Sequence, residues 1–194
     1  MHTKTHCDLY RIYSNGEYAS IGMSIWETPS PDKPDYALFG GELLIHSSFG
    51  NFCHTWAAGA VPFKEMLLSI DFDTFMLKCA GESYRVFDGA ASLASVRRAL
   101  VRLRRQGVLD KDDARDYWDG LEASEDLAAR SEECFRIALA DLERNGVVPG
   151  VADDFITYAA SRQVQGFWKE IWPRFTSILA AELQAEQQLA ARAA

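Results

Sequence analysis

The sequence predicts an α+β fold: an antiparallel meander of about four strands at the front, a helical region behind it, and a single domain over residues 1–194. Three observations predict it. Residues 7–57 alternate apolar and polar side chains and carry compact turn signals, so this stretch reads as mainly β. Residues 62–193 place apolar side chains three and four apart, with capping residues before and glycines after, so this stretch reads as mainly α. Strands come first and helices second, with short connections, and no internal repeat or domain boundary interrupts them.

Residues 7–26 form the first predicted hairpin. Ile21, Met23 and Ile25 alternate with Ser20, Gly22 and Ser24, and Asn15-Gly16 supplies a two-residue turn because both positions tolerate positive φ. Thr28-Pro29-Ser30-Pro31-Asp32-Lys33-Pro34 reads as a loop, its three prolines removing ladder donors. A third strand is expected from Tyr36 to Ser47, with Gly40-Gly41 marking a bulge or a close backbone approach. Phe49-Gly50-Asn51 is the expected turn into a fourth strand, Phe52 to Ala57.

Pro62 suits the first turn of a helix whose apolar face is Phe63, Met66, Leu67 and Ile70. After a break at Asp71-Phe72-Asp73, Phe75, Met76 and Cys79 continue the stripe, and Gly81 ends it. Tyr84–Phe87 reads as a short strand. Asp88 then caps a helix that runs to about Gln106, with Leu93, Val96, Leu100 and Leu103 as its core stripe. Another helix begins at Asp110, where the helix dipole favours the crowded acids. Longer helices are expected over Ser124–Asn145, ending at Gly146, near Asp153–Ser161 after the linker Val147-Val148-Pro149-Gly150, and from Phe167 to about Ala191, the last kinked or restarted by Pro173.

Apolar residues make up 48% of the chain and charged residues 25%, an ordinary globular balance that argues against disorder away from the ends. No run approaches the roughly 18–20 apolar residues that span a bilayer. The N-terminal residues lack the apolar stretch of a signal peptide, so no membrane association is expected and the chain reads as cytoplasmic. Cys7, Cys53, Cys79 and Cys134 fit no zinc spacing and read as free, mostly buried thiols. The net charge of −8 is polarised: Arg85 to Arg105 holds six arginines and one acid, whereas Gln106 to Ala160 holds fourteen acids and five bases.

Four candidate chemistries follow from these residues. Among the histidines His2, His6, His46 and His54, the last two flank a turn and so lie on neighbouring strands, close enough to suggest a metal site. But Cys53 and His54 are adjacent on a strand and point to opposite faces, so no metal and no cofactor are expected. Ser47 and Ser48 near His46 lack a Gly-x-Ser-x-Gly elbow, and no phosphate-binding glycine motif occurs, so no catalytic residue is assigned. Arg97, Arg98, Arg102, Arg104 and Arg105 on one helix suit phosphate neutralisation, which makes nucleic-acid binding one alternative reading, beside an enzyme with an unrecognised site near His46 and His54. The downstream acids offer those arginines partners within the chain, or a surface for a protein partner through Asp112, Asp113, Asp116 and Asp119. The large aromatics, Trp118 among them, read as core.

One stretch, Gly40-Gly41-Glu42-Leu43-Leu44-Ile45-His46-Ser47-Ser48-Phe49-Gly50-Asn51-Phe52, continues through Trp56, Gly59, Pro62–Leu67 and Asp71–Lys78. With Gln163–Pro173 it resembles a group of small bacteriophage and prophage accessory proteins. Their shared pattern is a strand, a Phe/Tyr-Gly-Asn turn, a tryptophan-bearing strand and a phenylalanine-rich helix. Where those relatives often carry an acid or asparagine, this chain has His46 and Ser48. The resemblance carries over no catalytic residue. It implies a phage-borne protein acting inside a bacterium by stoichiometric contact with a host protein or nucleoprotein complex, such as a CRISPR effector. The expected contact residues are Phe49, Asn51 and His54 together with the acids named above.

Overall fold

A computed structural model describes residues 6–33, 35–144 and 152–193, with the backbone alone for 141–144. The expectations for His2, Pro34, the helix stop at Gly146 and the linker Val147–Gly150 lie outside these residues. The strands are β1 (Asp8–Ser14), β2 (Glu17–Pro29), β3 (Ala37–Ser47), β4 (Gly50–Gly59), β5 (Arg85–Phe87) and β6 (Tyr158–Ala160). The helices are α1 (Phe63–Ser69), α2 (Phe72–Ala80), α3 (Gly89–Arg105), α4 (Lys111–Ala123), α5 (Glu125–Ala128), α6 (Glu132–Arg144), α7 (Arg162–Glu170) and α8 (Trp172–Ala193). The fold is α+β, as the sequence predicts. The chain packs as two compact units, Met1–Tyr84 with Ala160–Ala194, and Arg85–Ala159.

In the first unit the strands pair antiparallel in the order β1-β2-β3-β4. Asn15 at φ 52° and Gly16 at φ 85° make the tight β1–β2 turn, the positive-φ pair that matches strand twist. The β3–β4 turn sits one residue earlier than the sequence suggests. Ser47 pairs with Gly50, so Ser48 and Phe49 are the loop and Asn51 already lies in β4 opposite His46. The Ser47 hydroxyl donates to the Gly50 carbonyl at 2.7 Å and accepts from the Phe49 N–H at 3.3 Å, closing the loop. β2 also runs further than expected, with Thr28 opposite Leu38 and Pro29 opposite Ala37. A proline at the last ladder position forfeits a donor the strand end does not need.

The register of β3 against β4 shifts between Phe39 and Gly41, the expected bulge. Both glycines there are close approaches. A Cβ on Gly41 would lie 2.3 Å from the Phe63 ring, and one on Gly40 would lie 2.2 Å from the Trp26 indole. Alternation then sorts the sheet. Ile12, Ile21, Met23, Leu43, Ile45 and Phe52 are buried on one face under Phe63, Leu67, Phe75, Met76, Val164, Phe167, Ile171, Trp172, Phe175 and Leu179. The other face keeps Leu9, Tyr13, Tyr18 and Leu44 exposed.

Pro62 is the N-cap of α1 rather than a residue of its first turn. Asp71 caps α2 by accepting from the Thr74 N–H at 2.9 Å, and Gly81 ends it at φ 62°. The C-terminal helix starts earlier than expected, because Ser161 caps α7. Pro173 marks a restart: α7 ends at Glu170, and Pro173 falls in the first turn of α8, where its missing N–H costs nothing.

The second unit has its own core of Leu93, Val96, Leu100, Leu109, Tyr117, Leu121, Phe135, Leu139 and Phe155. Asp88 caps α3 as expected, accepting from the Ala91 N–H at 2.9 Å. The long helix expected over Ser124–Asn145 is broken into α5 and α6. Ser131 caps α6 by accepting from the Cys134 N–H at 3.1 Å, and the Ala129 backbone lies against Gly89. The helix expected near Asp153–Ser161 is a 3-10 turn, Ala152–Phe155, followed by β6. Thr157 and Tyr158 favour the extended chain, and Asp88 N–H donates to the Thr157 carbonyl at 2.8 Å. The four cysteines are free, but only Cys79 is buried, correcting the expectation of mostly buried thiols.

Candidate functional site

The β3–β4 hairpin does not present its predicted residues together. Even and odd positions of a strand face opposite sides, so Asn51 and His46 point to the open face while His54 points to the covered one. Asn51 Oδ1 lies 2.7 Å from His46 Nδ1, and the Tyr18 hydroxyl lies 3.4 Å from His46 Nε2. The His54 ring packs edge-on to Trp56 with centroids 4.5 Å apart. Burial, reinforced by the Lys78 charge, holds its pKa below the ordinary imidazole value. His46 and His54 are therefore not neighbours in one site, correcting the expectation drawn from their spacing. Among the described residues no group of three or more His, Cys, Asp and Glu side chains is placed to hold a metal ion. Phe49 is half-buried with its ring against Gly166 of α7. The Ser48 hydroxyl bonds the Glu17 carboxylate and the Ser47 hydroxyl bonds Gly50, so both serve the turn.

The charged residues converge in the second unit, on α3 and α4. Asp110 caps α4 by accepting from the N–H groups of Asp112 and Asp113 at 2.9 and 2.8 Å. This leaves the carboxylates of Asp112, Asp113, Asp116 and Asp119 exposed. Asp119 stands 3.9 Å from Arg115 one turn earlier, a loose and exposed pair worth little. On α3, Arg97 pairs with Glu125 at 2.8 Å, and that hydrogen bond holds the Glu125 carboxyl below its ordinary pKa. The Arg97 guanidinium also lies 5.6 Å from the Trp118 ring centroid, within cation–π range.

Arg98, Arg102, Arg104 and Arg105 are exposed and form no ion pair among the described residues. The expectation that the acidic segment would neutralise the arginines thus holds for Arg97 alone. Trp118 is 39% exposed, so it is surface rather than core. The buried stripe of α4 passes through Tyr117 and Leu121, and a step of about 100° per residue carries Trp118 off that stripe. That periodicity was the signal available in the sequence.

Trp118 lies between two open grooves. One, of about 480 Å³, is lined by Arg97, Arg98, Val101, Arg102, Arg105 and Gln106 with Trp118. The other, of about 490 Å³, is lined by Arg104, Lys111, Ala114, Arg115, Asp119 and Glu122 with Trp118. The α3 side can take anions through guanidinium forks, and the indole adds a flat apolar face.

The meander under its helices and the second unit with its exposed charged residues define an α+β protein. A family model described as a phage family matches residues 5–181. The chain belongs to that phage family and is a phage protein. No curated protein and no solved structure matches it. Among the described residues no helix is long and apolar enough to cross a membrane.

Proposed function

We propose that this phage protein acts in the host cytoplasm by stoichiometric contact with a host protein or nucleoprotein complex, as a counter-defence inhibitor of the anti-CRISPR kind. The α3–α4 surface is the contact. One observation carries this reading: two charge stripes of opposite sign, Arg98-Arg102-Arg105 and Asp112-Asp113-Asp116, stand exposed on neighbouring helices instead of neutralising each other. Charge left unpaired on a surface steers a partner of complementary potential and fixes its register.

The test is a tagged pull-down from host lysate at moderate salt, after nuclease treatment, read by mass spectrometry. The native chain retains a host complex in near-equal amount. The variant Asp112→Lys/Asp113→Lys/Asp116→Lys, with an unchanged far-UV circular dichroism spectrum, loses it along with protection of an infecting phage. A triple variant that still holds the complex and still protects the phage refutes the acidic contact.

A further inference from the structure

We infer that the arginine–tryptophan groove of α3 and α4 binds single-stranded nucleic acid, with Arg98, Arg102 and Arg105 on successive phosphates and Trp118 under a base. The inference rests on the contact reading above and names the nucleic-acid component of the partner. Arg98, Arg102 and Arg105 recur at i, i+4 and i+7 on α3. Along the axis they are about 6 and 4.5 Å apart, one ridge of cations. None is tied up by a carboxylate among the described residues, so their forks are available for bidentate phosphate contacts. The volume of about 480 Å³ falls within the roughly 300–1,000 Å³ of sites that enclose a small ligand, which gives room for a nucleotide.

Trp118 decides between ligand classes. The carboxylates of an acidic protein segment would satisfy the arginines without calling on the indole face held beside them. A nucleotide strand uses both, since each base has a face to stack and each linkage a charge to neutralise. A duplex hides its base faces and carries a second charged strand, which Asp119 and Glu122 beside Trp118 repel. Arg97, pinned by Glu125, sets the ring in place. A base thus meets a positioned platform.

The experiment titrates fluorescein-labelled twelve-nucleotide single strands, DNA and RNA, with the full chain and reads anisotropy at low and moderate salt. Binding is expected in the range of roughly 1–100 µM, with a log-log salt slope near about −2 for three neutralised phosphates. Arg98→Gln/Arg102→Gln reduces that slope by about 1.4. Trp118→Ala weakens binding about tenfold, and Trp118→Phe restores most of it, which a purely structural role would not produce. The acidic triple variant binds the strand at least as well as the native chain. Loss of the host complex with retained strand binding therefore separates the two proposals. No anisotropy change for either strand overturns the inference, as does equal affinity for duplex or binding of a polyglutamate peptide in place of the strand.

Discussion

Replacing Gly89 by alanine sets two effects of opposite sign against each other. In a helix interior alanine is favoured over glycine by about 0.8–1 kcal/mol, and less at a first position such as this one. Packing opposes it. A methyl at 89 would lie 2.5 Å from the Ala129 Cα and carbonyl oxygen and 2.8 Å from the carbonyl carbon. These are backbone atoms of the α5–α6 break, and they cannot rotate away. Forcing extra atoms into a filled site costs about 1–3 kcal/mol when neighbours yield, and here the yielding must come from the main chain. Gly89→Ala is therefore expected to lose about 1–2 kcal/mol net. For a chain of this size that lowers the melting midpoint by roughly 2–8 °C. Thermal melts followed by far-UV circular dichroism measure it. A midpoint equal to or above that of the native chain would show that propensity wins and that the Gly89–Ala129 approach is not tight.

Phe75 is fully buried with its ring centroid 4.2 Å from that of Trp172, so Phe75→Ala should cost about 3–5 kcal/mol in urea unfolding; a loss below about 1 kcal/mol would deny it a place in the core. Asp88→Ala removes the α3 cap and should cost about 1 kcal/mol, with Asp88→Asn recovering most of it. Acid should destabilise the fold through Asp71 and Glu132. Thr74 hydrogen bonds hold Asp71 below its ordinary 3.8, and those from Tyr158 and Arg136 hold Glu132 below 4.5. Both carboxyls are charge-stabilised in the folded state, so their contribution is complete above those ordinary values and lost as pH falls through the lowered ones. Urea midpoints from about pH 6 to pH 3 should drop most steeply below about pH 4.5, and less steeply in Glu132→Gln.

The sheet was legible because its signals are local: Asn15-Gly16 dictates a positive-φ turn, and Ile21/Met23 alternation dictates a face. The cap Asp88 was equally legible, since a short carboxylate beside free N–H groups acts within three residues; Asp71 and Asp110 cap their helices in the same way, although the sequence reads them only as a break and as the first acid of a helix. Elements fixed by distant contacts were not legible. The break at Ala129–Ser131 has no glycine or proline to announce it, only the Ser131 cap, and its backbone packs against Gly89, some forty residues earlier. The strand β6 takes its identity from pairing with β5 across about seventy residues. The arginine stripe was visible by spacing. Its freedom from the acidic segment was not, because charge totals do not say which side chains meet. The exposed Trp118 is readable from the Tyr117–Leu121 period, against the general tendency of tryptophan to be largely buried.

The first unit draws its strands from one end of the chain and half of its covering helices from the other, with Arg85–Ala159 emerging between them. Synthesis therefore completes the second unit first. β4 ends at Gly59, while Leu179, the last fully buried core residue, follows 120 positions later. At about 5–20 residues per second that delay is roughly 6–24 s. Throughout it the nascent sheet holds Ile21, Met23, Leu43 and Ile45 without their C-terminal cover. A chain released before Val164 has one complete unit and one uncovered sheet, so translation speed across Arg85–Ala159 sets how long chaperones have to shield that sheet.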